Sequence, residues 1–196
     1  MKLSTPFYHA VGGQAVSQLT DVEIVKSNSG LMVNFVCHQN PYLQFNRFTQ
    51  NNDPLWQQEV LEIFISSGLE TPQQYIEFQI NPNNALFLAR VTNPNGVGTE
   101  NSLEMIDPAS YSFENRVFTD VDLLKWSGSF TLPYSLIGAP NGGYRANIYR
   151  IIRTAPVTDN LWRCHPDNST FACWRSTQCL EKPTFHKPSF FGQLIF

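Results

Sequence analysis

Gln74-Tyr75-Ile76-Glu77-Phe78-Gln79-Ile80-Asn81 alternates from end to end. Ile76, Phe78 and Ile80 fall on one side of an extended chain, and Tyr75, Glu77, Gln79 and Asn81 on the other. A period of two belongs to a strand with one packed face, whereas a helix would repeat about every 3.6 residues. Just upstream, Glu59-Val60-Leu61-Glu62-Ile63-Phe64-Ile65 does the same. Leu61, Ile63 and Ile65 form its apolar row, and Val60, Glu62 and Phe64 its second side. The connection, Gly68-Leu69-Glu70-Thr71-Pro72, is short and carries turn residues, so the two runs read as a hairpin. Its polar faces then lie together and present Glu62, Gln79 and Asn81 side by side.

The rest of the chain repeats this texture. Further strands are expected over Val22 to Lys26, Leu31 to His38, Ala85 to Val91, Ser112 to Thr119 and Leu123 to Leu132. Tyr144 to Ile152, Phe171 to Arg175 and Phe191 to Phe196 complete the set. Clusters of Pro, Gly and Asn punctuate them, as at Asn28-Ser29-Gly30, Asn81 to Asn84, Asn93 to Gly98 and Ala139 to Gly143. Helical periodicity is confined to about one turn around Ser135 to Gly138. Parallel strands would need crossover helices, so the fold expected is all-β, an antiparallel β-sandwich or jelly-roll-like domain spanning residues 1–196. At 196 residues one such domain buries a real core without metals or disulfides.

Composition narrows the partners. Hydrophobic residues make up 42% and charged ones 15%, with Phe occurring 15 times, which is the make-up of an ordered β protein. A net charge of -3 with no basic run argues against nucleic acid or an anionic membrane surface as partner. No run approaches the ~20 apolar residues of a membrane helix. Met1 to Phe7 has no apolar core of signal-peptide length, so a cytoplasmic location is expected unless a leader has been removed. Of the four cysteines, Cys37 sits in a strand and reads as a small buried hydrophobe. Cys164, Cys173 and Cys179 lack the paired spacing of a zinc site, and a disulfide among them is left open.

Candidate binding residues come from the strands' polar faces. Asp53-Pro54 marks a turn, because the residue before proline is driven out of the helical region. Trp56 follows it, and Glu62 stands in the middle of the next strand, away from the main apolar row. A carboxylate there must be solvated or matched to a donor, since burying it alone is costly. A flat aromatic beside a fixed acceptor can hold a polar, uncharged ring. Tyr144-Arg145-Ala146-Asn147-Ile148-Tyr149-Arg150-Ile151-Ile152-Arg153 is a third strand with polar groups: Asn147, Tyr149 and Arg153 share one face, and Arg150 takes the opposite one.

Several pieces in order resemble the family 9 carbohydrate-binding modules and their uncharacterised relatives. They are Trp56 to Ile65, Tyr75 to Pro82, Gly128-Ser129-Phe130-Thr131-Leu132-Pro133, Arg145 to Ile151, Cys173-Trp174-Arg175, and Phe185 to Phe196. In that family two tryptophans sandwich a sugar ring and strand side chains bond its hydroxyls. The resemblance implies Trp56 and Trp174 as the sandwich, facing each other across a slot open to solvent. It implies Glu62, Gln79, Asn81 and Arg150 as the hydrogen-bonding set, with a mono- or oligosaccharide as partner and no catalytic residues. Sugar C–H faces stack on aromatic rings, and hydroxyls need directional donors and acceptors. The chain departs from the family in standing without a glycoside hydrolase and in its cysteines around Trp174. A stand-alone relative that has kept the fold and lost the sugar, as an accessory to a glycan-processing hydrolase, stays open.

Two other chemistries compete with this one. Haem on a related sandwich would need axial ligands drawn from Met32, Met105, His9, His38, His165 and His186, of which only His186 lies in a motif. A glycoside hydrolase needs two carboxyls about 5 to 9 Å apart, and Glu59 and Glu62 point to opposite faces of one strand, leaving Glu77 as another candidate. No metal site is assigned and no cofactor is expected; for calcium, Asp53, Asp120 and Asp122 are too scattered to name as ligands. Asn168-Ser169-Thr170 matches a glycosylation acceptor, a short pattern that chance often supplies. No Gly-rich phosphate loop is present, since Gly96-Val97-Gly98 sits in a turn and not after a strand.

Overall fold

The structure, a computed structural model, describes residues 1–3, 6–98, 100–156 and 162–196. Among these residues the alternating runs all become strands, and two antiparallel sheets result. The larger contains β1 (Tyr8–His9), β4 (Val60–Ser67), β5 (Gln74–Ile80), β6 (Leu86–Thr92), β7 (Ser102–Met105), β10 (Tyr144–Arg153), β11 (Ser169–Cys173) and β12 (Gly192–Leu194). The smaller contains β2 (Thr20–Lys26), β3 (Gly30–Cys37), β8 (Asn115–Asp120) and β9 (Lys125–Pro133). The larger runs in the order β1-β11-β10-β4-β5-β6-β7, with β12 also on β10, and the smaller β2-β3-β9-β8. β11 and β12 share one side of β10, pairing with its two ends. A single helical turn, α1 (Tyr134–Ile137), follows β9. The all-β sandwich expected from the period-two runs is the fold found; β1 and β7 were too short to declare themselves in the sequence.

The core fills the space between the sheets. Leu61, Ile63 and Ile65 of β4 and Ile76, Phe78 and Ile80 of β5 meet Val33 and Phe35 of β3 and Trp126 and Phe130 of β9. Phe78 stacks on Phe130 at 4.5 Å between ring centroids, and Phe35 meets Trp126 edge-on at 5.0 Å. Both are favoured aromatic geometries.

The larger sheet's other face is also covered. Val60, Phe64, Tyr75, Phe87, Tyr149, Ile151 and Cys173 form a second cluster beneath Ala10, Leu55, Phe185 and Phe191 from segments outside those strands. Tyr149 stacks on Phe185 at 4.3 Å and donates its hydroxyl to the Phe185 carbonyl at 2.8 Å. A solvated outer face, the usual arrangement for an antiparallel sheet, is therefore absent over the centre of this one. β4 is buried from Val60 to Ile65 on both sides. This double cover is what turns Glu62 from a surface residue into an interior one.

Candidate functional site

The register of β4 on β5 sets Glu62 directly opposite Gln79 and Phe64 opposite Glu77. Glu62, Glu77 and Gln79 thus share the covered face, with Glu77 one step along the diagonal from Glu62 and within reach of a long side chain. Gln79 donates to Glu77 Oε1 at 2.6 Å, and His186 Nε2 lies 3.8 Å from Glu77 Oε2. The His186 ring is held from its other side by the Tyr75 hydroxyl, 2.8 Å from Nδ1. Glu62 has no such help. It is 2% exposed and makes no hydrogen bond with any described residue.

Above these groups opens a pocket of about 360 Å³. Glu62, Glu77, Phe64, Ile151 and Phe171 come from the sheet; Cys164, Phe185 and His186 come from the covering segments; Trp56 stands at the mouth. Asp53 prepares Trp56, its Oδ2 accepting from the backbone N–H groups of Gln50 at 2.9 Å and Thr49 at 3.2 Å. The next residues make one tight turn, Leu55–Gln57, which buries Leu55 completely and leaves Trp56 40% exposed. The turn is pinned from across the pocket: the Cys164 N–H donates to the Gln57 carbonyl at 2.7 Å and the Cys164 thiol to that of Trp56 at 3.1 Å. Phe87 meets the indole edge-on at 5.0 Å.

Burial dominates the electrostatics. It pushes the Glu62 carboxyl well above the usual carboxylate range, and the neighbouring Glu77 pushes the same way. Burial also raises Glu77, to about 7, with the Gln79 hydrogen bond pulling it back. Burial lowers His186 to about 4, so its ring is neutral near pH 7. Cys164 is raised by burial to about 11, which leaves its thiol protonated and a poor nucleophile. At neutral pH the pocket floor is a pair of carboxyl groups with no cation between them.

The six residues implied by the resemblance divide. Trp56 and Glu62 line the pocket, and Gln79 lies beside Glu62, fully buried and bonded to Glu77. Asn81 is a turn residue: its Oδ1 accepts from the N–H groups of Asn83 at 3.1 Å and Ala85 at 3.0 Å, and its Nδ2 donates to the Phe48 carbonyl. Trp174 is 3% exposed and belongs to the core between the sheets, packed so closely that a Cβ on Gly192 would come within 2.6 Å of its ring. It does not face Trp56 across a slot, because Cys173 before it takes the covered face and Trp174 the inner one.

Arg150 is likewise interior. It pairs with Leu61 on the core side of the sheet and is fully buried. All five of its N–H groups are used: on Glu59 Oε1 at 3.2 Å, the Leu19 carbonyl at 2.9 Å, Thr20 Oγ1 at 3.0 Å, the His38 carbonyl at 2.8 Å and Asn40 Oδ1 at 2.6 Å. Trp126 Nε1 also donates to Glu59 Oε1 at 3.1 Å. Arg150 and Glu59 form a strut between the two sheets and have no donor left for a ligand. Glu59 and Glu62 do lie on opposite faces of their strand, as their spacing predicts.

Glu77, Phe171 and Phe185 are site residues that the resemblance did not supply. Glu77 was legible, since it alternates in phase with Gln79. Phe171 falls in an expected strand, but its pairing beside β10 has no local signal, and Phe185 was not legible because nothing local says which loop folds over which sheet. The four cysteines are free in the structure, and no group of three or more His, Cys, Asp or Glu able to hold a metal occurs among the described residues. Of the histidines and methionines weighed for haem, only His186 reaches this pocket.

No family model matches the chain. A protein of Arthroderma benhamiae described as an extracellular protein is 26% identical over 184 residues, covering 90% of this chain and 78% of that protein. Among solved structures, a Bacteroides uniformis protein proposed to bind carbohydrate superposes with a TM-score of 0.67 at 15% identity, over 99% of this chain and 86% of that one. A family 9 carbohydrate-binding module of Caldicellulosiruptor kristjanssonii, in complex with glucose, gives 0.55 at 12% identity, over 97% of this chain and 83% of that one. The same module type in complex with cellotriose gives 0.54 at 13% identity, over 98% and 82%. The chain shares the fold of carbohydrate-binding modules.

Proposed function

We propose that this protein binds a saccharide in the pocket under Trp56 and does not cleave it. One observation carries the reading: Glu62 is a buried carboxyl group with no hydrogen-bond partner among the described residues, at the floor of a pocket whose mouth is a half-exposed tryptophan. Buried polar groups are nearly always satisfied, so one left open in a cavity is a place kept for a ligand. A cavity of about 360 Å³ is at the small end for ligand sites and fits a sugar ring. Trp56 supplies the stacking face. Phe171 and Phe185 take the part that the resemblance assigned to Trp174. Support comes also from the fold, which is that of modules bound to glucose and cellotriose.

Trp56 is the one tryptophan of the four with substantial exposure, so its fluorescence reports the site. Titration with glucose and cellotriose should shift or quench that emission with a Kd on the order of micromolar to millimolar, as few atoms are buried. Trp56→Ala should remove the binding seen by calorimetry and leave the melting temperature nearly unchanged. A panel of mono- and disaccharides that gives no heat and no fluorescence change would overturn the proposal.

A further inference from the structure

With its carboxyls ionised, the pocket floor consists of acceptors. Glu62 Oε1 and Glu77 Oε2 are both buried without a hydrogen-bond partner among the described residues, and Gln79, the neighbouring amide, has turned a donor toward Glu77 Oε1. Among the described residues no Arg or Lys lines the pocket, and the Cys164 thiol is engaged with the Trp56 carbonyl. A sugar hydroxyl brings one donor and two lone pairs, so in this floor its lone pairs meet further acceptors. An ammonium group brings three donors and no lone pair, and its charge matches two carboxyls. The walls suit it as well, since Trp56, Phe64, Phe171 and Phe185 line the pocket and an ammonium group close to an aromatic ring is attracted to it.

We infer that the saccharide bound here is an amino sugar, its free ammonium lodged between Glu62 and Glu77 with the ring against Trp56. This rests on the carbohydrate reading of the pocket and narrows it. Binding is linked to proton release, because the cation meets carboxyls that burial keeps partly protonated. The other titratable groups facing the pair are His186, Tyr75, Tyr149, Cys164 and Cys173, all of them neutral near pH 7 in this setting. None competes with the ligand as a cation, and affinity should rise with pH until the amine loses its own proton.

The test is calorimetric titration with glucosamine, glucose and N-acetylglucosamine at pH 5 and pH 7, on the wild type, Glu62→Gln and Glu77→Gln, with melts to show that the variants fold. Glucosamine is expected to bind at least tenfold more tightly than the other two at pH 7, and the advantage should shrink several-fold at pH 5. Either amide variant should reduce the glucosamine advantage to less than about threefold. Glucose or N-acetylglucosamine binding as tightly as glucosamine would overturn the inference and leave the carbohydrate proposal standing. If none of the three binds to folded wild type, the inference falls, and the carbohydrate proposal falls with it when cellotriose and the disaccharides also give no heat.

Discussion

Removing either pocket carboxyl should stabilise the protein at neutral pH. Consider Glu77→Gln, which keeps the shape and an oxygen to accept from Gln79. Burial raises the Glu77 pKa from 4.5 to about 7 in the folded chain. The folded state therefore holds its proton more tightly than the unfolded state, and stability is full below the unfolded pKa and lost as pH rises through the folded one. Holding the proton up to about pH 7 and not 4.5, at about 1.4 kcal/mol per pH unit, costs up to about 3 kcal/mol above pH 7. At roughly 2–4 °C per kcal/mol for a chain of this size, the variant should melt about 6–12 °C higher than wild type at pH 8. His186 acts in the opposite sense: lowered to about 4, it costs stability as pH falls below 6.5. The cleanest window is therefore pH 6.5 to 8, where the wild-type melting temperature should fall and that of Glu77→Gln should stay flatter. Glu62→Gln should behave alike, and the double variant should gain less than the sum because each carboxyl raises the other's cost. Differential scanning calorimetry across this range decides it. A Glu77→Gln protein no more stable than wild type at pH 8, with the same slope, would refute the burial argument.

Other outcomes follow from where the tryptophans, the arginine and one glycine lie. Arg150→Met should cost about 3–5 kcal/mol, because Glu59 is left as a buried, poorly compensated charge, and Glu59→Gln in the same chain should recover part of it; ligand affinity of the folded protein should not change. Trp174→Ala should lose about 3–5 kcal/mol of stability while Trp56→Ala loses little, and only the latter should abolish sugar binding in the folded fraction. Gly192→Ala should destabilise, since its Cβ would sit 2.6–2.7 Å from the Trp174 ring, and Trp174→Phe should relieve that loss in the double variant. Incubation with aryl glycosides should release no aglycone; turnover lost on Glu62→Gln would make the carboxyl pair catalytic.

What the sequence showed reliably was direction. Period two in Gln74 to Asn81 and in Glu59 to Ile65 placed Glu62 beside Gln79, and the register pairs the two residues. The same parity already separated Arg150 from Asn147, Tyr149 and Arg153, and put Trp174 on the other side from Cys173. Both belong to the inner face, and the implied ligand roles for them ran against that alternation. Depth was not legible. The cover over Glu62 comes from residues around 164 and 185, more than a hundred positions away, and no local pattern shows that these loops lie over β4. Asn81 failed for a different reason: one residue past the end of β5, it shares the parity of Gln79 but meets the turn and not the sheet.

The three buried glutamates of β4 and β5 and their flank make the strongest case for a ligand when they are compared with one another. Glu59 is buried on the core side, and the fold answers it with a guanidinium and an indole N–H. Glu77 receives an amide donor from Gln79 and faces His186. Glu62, on the same strand as the well-served Glu59 flank and as deeply buried, receives nothing among the described residues. The chain evidently can satisfy a buried carboxyl, so its failure to do so at Glu62 is not a limit of the fold. Phe64, Tyr149 and Ile151 stand near that position on the covered face beside Gln79 and Glu77, and a leucine there would avoid the desolvation cost of a carboxyl, a few kcal/mol. A glutamate kept open at the floor of a tryptophan-mouthed pocket lowers stability, and a bound donor, neutral or cationic, is what offsets it.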